Sequence, residues 1–407
     1  MTDILKLIPP MLTGAELHQA LAVNPEYDPA IRQASAAERL IALNTLFDIF
    51  YPFNFTATIY TKLYLAMVRS LQRRTGKLAV QQRNSNYFSR GQTYLGINNS
   101  DSFSIVGKSG AGKSSAISRA IALIEGDKVI SLDSPYCKML PVLVVQTPFD
   151  CSTKSLFLSI LKAIDDTLDT TYYQSASKGR VTTDVLISMV CNACAHTSVL
   201  IIDELQNVAN SRNGVSLIGS LIQLVNSCPV STVFVATNEV LPVIERDAKL
   251  ARRSLGIQVG EVPLDADFVG FCETLYRYKY VSGEMMLTDG IIHFLYEHSG
   301  GGNVAAVVAI LQAAQEIAIL DGTETVTIET LNKAYSQRLG LLHSHIDLAR
   351  VKMTAMREST PELPGATELV PSFEKDLLAQ TVAEAKRKEL TALDLLKQRI
   401  TIIEVSV

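Results

Sequence analysis

The sequence has no uninterrupted apolar run of about 18 residues, which is the length that a membrane-spanning helix needs. The nearest candidate, residues 304–320, is interrupted by Gln312, Gln315 and Glu316. The first residues also lack the positive segment and the long apolar segment of a secretion signal. We therefore expect neither a membrane span nor secretion.

The chain also lacks a cysteine framework and an excess of positive charge. Its six cysteines have no framework spacing, which is typical of a protein of the reducing cytoplasm. Lys and Arg number 37 against 41 Asp and Glu, which gives a net charge of −4. Binding to nucleic acid would therefore require a local basic patch, because the field of the whole molecule does not favour it.

Residues 107–114 read Gly-Lys-Ser-Gly-Ala-Gly-Lys-Ser, a complete G-x-x-x-x-G-K-S phosphate loop between an apolar run and a helix-forming stretch. In such a loop the glycines let backbone N–H groups point at phosphate oxygens, and the helix start adds positive charge. The lysine reaches the β and γ phosphates and the serine hydroxyl binds Mg²⁺. The predicted nucleotide-binding residues are Gly107, Lys108, Ser109, Gly110, Ala111, Gly112, Lys113, Ser114 and Ser115.

An apolar run, residues 199–202, is followed by Asp203 and Glu204. Ligands of open α/β sheets bind at the carboxyl ends of the strands, so this acidic pair predicts the second half of a nucleotide site. We expect Asp203, with Ser114, to hold Mg²⁺ and Glu204 to polarise the attacking water, which indicates hydrolysis of ATP as well as binding.

Short β-branched runs alternate with helical stretches through the middle of the chain, which predicts an α/β fold with a central parallel five-stranded sheet. The runs are residues 103–106, 142–146, 199–202, 232–236 and 257–262. The whole chain then divides into a mostly helical N-terminal extension (1–95), the nucleotide-binding α/β core (96–264), a helical lid (265–357) and a linker with a C-terminal partner-binding segment (358–407).

Polar residues follow the fourth run, and an arginine pair precedes the fifth. Thr237 or Asn238 is predicted to orient the lytic water, although an ordinary helix cap is the alternative. Arg252 or Arg253 is predicted to reach the γ-phosphate held by a neighbouring subunit, and a solvated surface pair is the alternative.

The order of these parts resembles the AAA+ P-loop ATPases, and most of all the TnsC/TniB group, which regulates transposition. The resemblance spans residues 95–340. It rests on the phosphate loop and on residues 144–156, 200–208, 211–214, 236–237 and 251–256, of which Asp-Glu-Leu-Gln-Asn and Ala-Arg-Arg-x-x-Gly are the most specific. Many relatives carry a proline after the sensor threonine, where Asn238 stands here. The lid residues 300–304 contain no second sensor arginine.

The resemblance implies an ATPase that uses ATP and Mg²⁺ and assembles with itself into a ring or helical filament on double-stranded DNA. It also implies that the assembly links a target-selector protein of the TniQ/TnsD type to a transposase. Candidate DNA contacts lie at a predicted helix start, in a loop-like aromatic stretch and after the second acidic motif; they are Lys154, Tyr172, Tyr173, Lys178, Arg180 and Arg212. Each of these cations is also explained by a solvated loop.

Two other functions share the same core: an AAA+ loader or secretion-type ATPase, and a nucleotide-dependent scaffold that does not hydrolyse ATP. An aromatic knot at residues 47–60 is predicted to be core or, less often, a partner surface. The residues that contact adenine are left open by the sequence, as are the number of subunits and the use of a guide RNA.

Overall fold

A computed structural model describes residues 6–74, 102–133, 136–178, 181–228, 230–245 and 256–338, all within one compact unit, Met1–Lys352. None of the helices within these ranges is long and apolar enough to cross a membrane.

Six strands form the sheet of the described part of the chain. They are β1 Phe103–Gly107, β2 Ile130–Asp133, β3 Tyr136–Gln146, β4 Thr197–Asp203, β5 Ser231–Ala236 and β6 Ile257–Val259, in the spatial order β2-β3-β4-β5-β1-β6. The five predicted runs are the five parallel strands, so the parallel α/β fold is confirmed. The expected number of five was wrong, because β2 pairs antiparallel with the beginning of β3.

Fourteen α-helices lie in the described ranges. They are α1 Gly14–Leu21, α2 Ala36–Ala42, α3 Asn54–Arg74, α4 Lys113–Leu123, α5 Thr153–Leu168, α6 Tyr172–Ser177, α7 Thr183–Ala193, α8 Asn207–Asn210, α9 Gly214–Ser227, α10 Leu241–Glu245, α11 Ala266–Tyr276, α12 Asp289–His298, α13 Val304–Leu320 and α14 Ile328–Arg338. A 3-10 helix, Leu43–Asp48, continues α2.

Both faces of the sheet are covered by helices, which explains the continuous apolar run of β4. Leu200 and Ile202 pack with α5, α7 and α9, whereas Val199 and Ile201 pack with α3 and α4 on the opposite face. Successive side chains of a strand point to opposite faces, so a strand buried on both sides has no polar alternation. The carboxyl ends of β1, β4 and β5 consequently meet at one edge of the sheet.

The residues before β1 belong to two of the three apolar clusters. Leu17, Leu21 and the buried face of α3 pack with α4 and the sheet. Residues 43–53 instead pack with α11 to α14, through Leu43, Leu46 and Phe53. This segment therefore connects the sheet to the helices that follow it in the chain.

Candidate active site

The phosphate loop begins where β1 ends. Gly107 has no room for a side chain, because a Cβ there would lie 2.2 Å from the carbonyl oxygen of Val259 in β6. Gly110 and Gly112 have φ angles of +77° and +88°, which favour glycine, and α4 begins directly after Gly112. The glycines of the motif are thus required by the backbone path.

Lys113 lies buried at the start of α4. Its Nζ donates hydrogen bonds to the carbonyl oxygens of Gly107, at 2.8 Å, and Lys108, at 2.7 Å. Burial lowers the pKa of Lys113, and the nearby carboxylates of Asp203 and Glu204 oppose that shift. The loop thus holds one cation that faces the acidic pair across the site.

Asp203 is the last residue of β4, and Glu204 follows it in a left-handed conformation with a φ of +57°. The N–H of Glu204 donates to Asp203 Oδ1 at 2.7 Å. A non-glycine residue in this conformation costs on the order of 1 kcal/mol, and such strain concentrates at functional sites. The turn directs Glu204 into the same cavity that the phosphate loop lines.

Gln206 connects the acidic pair to the end of β5, a role that the sequence did not reveal. Its Nε2 donates to Glu204 Oε2, and its Oε1 accepts a 3.2 Å hydrogen bond from the N–H of Thr237. The amide of Gln206 therefore holds Glu204 and Thr237 in one arrangement.

Thr237 and Asn238 occupy different surroundings. Thr237 lies in the cavity wall, and its buried Oγ1 has no hydrogen-bond partner among the described residues. Asn238 is exposed in a short 3-10 turn and is not part of the wall. The geometry favours Thr237 as the residue that meets a ligand, because a buried hydroxyl without a partner is costly.

One cavity of about 380 Å³ unites these groups, within the volume range of small-molecule sites. Its polar side consists of residues 109–115 with Asp203, Glu204, Gln206 and Thr237. Most of its remaining lining is apolar and combines residues from before β1 with residues from α11 and α13. These are Leu46, Phe47, Ile49, Phe50, Tyr51, Phe53, Phe55, Phe271, Val304, Ala305 and Val308.

We call Phe47, Phe50, Tyr51, Phe53 and Phe55 the aromatic wall. The Phe53 ring contacts the rings of Tyr51 and Phe55, and it meets Phe271 of α11 edge-on at 5.4 Å. The core prediction holds for Phe53, which is buried, whereas Phe47 remains 58% exposed at the cavity. An available signal was the concentration of aromatics at 47–55 in a chain with 7% aromatic residues.

Other predicted loop residues lie close to the same cavity. Ser114 and Ser115 line it from the first turn of α4. Lys108 points away from it, because its Nζ pairs with Glu261 at the surface. Gly107 is the last residue of β1 and is not part of the cavity lining.

The predicted DNA contacts separate into two groups. Lys154 is exposed in the first turn of α5, and exposed Arg212 lies in a loop whose Ser211 and Asn213 side chains both donate to the carbonyl of Asp150. Lys154 and Arg212 therefore flank one pair of linked loops.

The second group lies beyond the other end of α5, a helix about 24 Å long. Tyr172 and Tyr173 are in helix α6 rather than in the expected loop, because the Asp165 carboxylate accepts both of their backbone N–H groups. Both rings are partly buried, whereas Lys178 is exposed. The structure does not bring this group to Lys154 and Arg212.

Three predicted residues, Arg180, Arg252 and Arg253, lie outside the described residues, as does the segment 358–407. Their assigned roles stay predictions.

Residues 82–259 match one family, described as "Bacterial TniB protein". The predicted TniB-type resemblance is confirmed. The match contains both the phosphate loop and the Asp203–Glu204 pair, and no curated protein matches the chain in sequence.

Solved structures that resemble the chain include the Aeropyrum pernix ORC1 protein in complex with DNA, at 14% identity and a TM-score of 0.40, over 82% of this chain and 79% of that one. The Aeropyrum pernix ORC2 protein (ADPNP-ADP complexes) is 17% identical with a TM-score of 0.38, over 65% and 68%. Cdc6p from Pyrobaculum aerophilum is 11% identical with a TM-score of 0.41, over 64% and 66%. The site described above rests on the geometry of this chain alone.

Proposed function

We propose that this protein is a Mg²⁺-dependent AAA+ ATPase that assembles on double-stranded DNA and couples target selection to a transposase. The observation that carries the ATPase part is that the phosphate loop, the acidic pair and the aromatic wall all line one cavity. The phosphate loop suits the phosphates of ATP, the acidic pair suits the attacking water, and the aromatic wall suits the base. The transposition part is supported by the TniB match over residues 82–259.

The residues present fit a magnesium nucleotide. Ser114 and Asp203 line one cavity and supply the hydroxyl and carboxylate oxygens that Mg²⁺ prefers. An ion held by Ser114 and Asp203 would supply positive charge that offsets the negative charge of the phosphates. The Oγ1 of Thr237, which has no partner among the residues that the structure describes, is a further polar group that a phosphate or its attacking water would satisfy.

The arrangement of the chain's own groups supports hydrolysis as well as binding. The Lys113 ammonium would leave the loop carbonyls for the β and γ phosphates, which carry more negative charge than a carbonyl. A Glu204 carboxylate oxygen would take the proton of the attacking water, and Thr237 would orient that water. Arg252 or Arg253 of a neighbouring subunit would stabilise the charge on the transferred phosphoryl group.

The base would lie against the aromatic wall, because flat apolar rings favour stacking with a nucleobase. Since these residues also pack with α11 and α13, an occupied site would tie the N-terminal segment, the sheet and the following helices together. Occupation of the site by ATP could thereby change the shape of the subunit, as an ATP-dependent assembly requires.

Binding of DNA by an acidic chain requires many subunits with a few cations each, such as Lys154 and Arg212. We propose a ring or helical filament, in which each subunit adds a few phosphate contacts. The partners would be a transposase and a selector of the TniQ/TnsD type, contacted through the segment 358–407.

The decisive variant is Glu204→Gln, compared with wild type and with Glu239→Gln, an exposed glutamate beside the same sheet edge. We expect ATP hydrolysis to fall about 100-fold in Glu204→Gln, since a general base contributes 10²–10⁴-fold. Its affinity for ATP should be retained, and Glu239→Gln should behave as wild type.

Because Glu204→Gln should hold ATP, it should also form large assemblies on duplex DNA, measured by light scattering with and without nucleotide. Hydrolysis that is equally absent from wild type would support the scaffold alternative. If the protein stays monomeric in the presence of ATP and duplex DNA, the proposed ring or filament is contradicted. Loss of transposase binding on removal of residues 359–407 would support the proposed partner segment, whereas a full chain that binds no transposase would favour the loader or secretion-type alternative.

A further inference from the structure

The first turn of α13 contacts the phosphate loop directly. The Nδ2 of Asn303 donates to the carbonyl oxygen of Ser109 at 2.7 Å, and the N–H of Ala305 donates to the carbonyl of Gly110 at 3.1 Å. Asn303 is also the N-cap of α13, since its Oδ1 accepts the N–H of Ala306 at 3.1 Å. The nitrogen and the oxygen of the Asn303 side-chain amide therefore both make hydrogen bonds.

These bonds complete a pattern along the loop. Four successive carbonyls, those of residues 107 to 110, each accept a hydrogen bond. The first two accept from Lys113 Nζ and the last two from the start of α13. A phosphate that draws the lysine away would leave the bonds from α13 in place.

The direction of the carbonyls determines the direction of the amides. In a planar trans peptide the C=O and the following N–H point in opposite directions. Since the carbonyls of Ser109 and Gly110 point at α13, the N–H groups of Gly110 and Ala111 point away from it, into the loop. The Ala111 N–H donates there to the Lys108 carbonyl across 3.4 Å, a long bond that a phosphate oxygen would readily replace.

The contact is also tight and rigidly supported. A Cβ on Gly110 would lie 2.7 Å from Asn303 Oδ1, so the motif glycine is required partly by this neighbour. The helix that carries Asn303 has 17 residues, and most of its length is buried in the cluster that includes residues 43–53. Movement of its first turn is thereby resisted from several sides.

We propose that Asn303 is a positioning residue that holds the phosphate-loop amides in the orientation that binds phosphate. The inference rests on the proposed ATPase function and deepens it. Instead of an arginine that contacts the nucleotide, the helix after Gly302 contacts the backbone that surrounds the nucleotide. The conformation of the phosphate loop therefore depends on the position of α13, and the reverse also holds.

The test is Asn303→Ser in the full chain, because serine caps a helix as well as asparagine but is too short to reach the Ser109 carbonyl. The matched control is Thr288→Ala, which removes the side-chain cap of α12 without any contact to the phosphate loop. Asn303→Ser should consequently keep its thermal stability, whereas Thr288→Ala should lose some.

Two measurements decide the proposal. Without nucleotide, hydrogen exchange of the amides of residues 108–112 should be faster in Asn303→Ser and unchanged in Thr288→Ala. With ATP, calorimetry should give about 10-fold weaker binding for Asn303→Ser and less than 2-fold weaker for Thr288→Ala. In hydrolysis the KM should rise about 10-fold with kcat nearly unchanged, because ground state and transition state lose the same contact.

Wild-type exchange in the loop of Asn303→Ser would overturn the proposal, as would wild-type affinity for ATP. The exchange measurement needs no nucleotide, so it judges Asn303 even if the wild type does not bind ATP. In that case the proposed function fails while the positioning of the loop is still confirmed or refuted.

Discussion

The two sides of the cavity are built in opposite ways. The phosphate side comes from one continuous segment, residues 109–115, together with residues at or just beyond the ends of two neighbouring strands. The base side takes the aromatic wall from before β1, together with Phe271 from α11 and Val304 from α13, which follow the wall by more than 200 residues of chain.

The two sides also bind by different means. The phosphate side uses backbone geometry and one buried cation, so each position tolerates few residue types. The base side uses ring surface, which several apolar residue types can supply. Single substitutions on the phosphate side should therefore have large effects, and this side should determine whether a phosphate-containing ligand binds at all. The base side should share its contribution among several residues and should set how tightly a nucleoside is held.

The largest expected effect separates the two sides by charge. Lys113→Ala should lower kcat/KM for ATP at least about 100-fold, because it removes the cation that stabilises phosphate charge in a buried site. It should weaken the binding of inorganic triphosphate as strongly as that of ATP, since both use the same side. Calorimetry with the two ligands and a phosphate-release assay measure this.

The control for Lys113→Ala is Lys128→Ala, an exposed lysine in the turn beyond α4 that pairs with Glu125. It should match wild type in both assays. Loss of ATP binding with full retention of triphosphate binding in Lys113→Ala would contradict the division of the cavity into two sides.

The contrast between the sides also explains what the sequence could predict. The phosphate loop and the acidic pair are each visible as a short run of consecutive residues. The five parallel strands are visible too, because a strand buried on both faces has a continuous apolar sequence. The strand β2 was missed since it pairs with Tyr136–Met139, a part of β3 that precedes Pro141 and lacks such a run. Proline inside a segment argues against a strand, which agrees with a predicted run that begins only at residue 142.

The base side could not be predicted in the same way. Nothing in residues 47–55 distinguishes a ring that faces a cavity from one that faces a core, because both need apolar surface. The difference arises only when α13 packs beside the phosphate loop. The bridging role of Gln206 was hidden for a similar reason, since its partners Glu204 and Thr237 meet only after β4 pairs with β5.

A second prediction concerns the scaffold of the base side. Arg39 in α2 makes a paired contact with Glu324, at 2.5 and 2.7 Å, and also donates to the carbonyl of Tyr280. The hydrogen bond from Arg39 lowers the pKa of Glu324 to about 2, with further help from the Ser282 backbone. Arg39→Ala should lower the free energy of unfolding by about 2 kcal/mol, since it removes the buried Arg39 side chain and leaves the partly buried Glu324 carboxylate without its cation.

The pH dependence of this loss has a definite sign. A carboxylate whose folded pKa is depressed stabilises the fold above its ordinary pKa, and that contribution is lost as the pH falls toward the folded value. The difference between wild type and Arg39→Ala should thus be constant at neutral pH and shrink below about pH 4.5. Urea denaturation at a series of pH values measures it.

Lys333→Ala, which removes an exposed pair with Asp321 in the same group of helices, should cost less than about 0.5 kcal/mol. Arg39→Ala should also weaken ATP binding more than triphosphate binding, because residues 43–55 follow α2 directly. Equal stability losses in the two variants would show that the Arg39–Glu324 pair does not anchor the base side.

The smallest expected effect belongs to a single ring of the aromatic wall. Phe47→Ala should weaken ATP binding about 5-fold, since stacking of a base on an aromatic ring is worth ~1 kcal/mol at the exposed end of its range. Phe47 is 58% exposed, so the free energy of unfolding should change by less than about 0.5 kcal/mol. Triphosphate, which has no base, should bind Phe47→Ala and wild type equally well.

The matched control is Ile41→Ala, an exposed apolar residue of α2 that lies outside the cavity wall and should leave both affinities unchanged. Titration of each variant with ATP and with triphosphate gives the base-dependent part of binding as a ratio of the two affinities. That ratio should fall in Phe47→Ala alone. If Phe47→Ala weakens both ligands equally, the ring supports the phosphate loop rather than the base, and the aromatic wall is part of the scaffold instead of the binding surface.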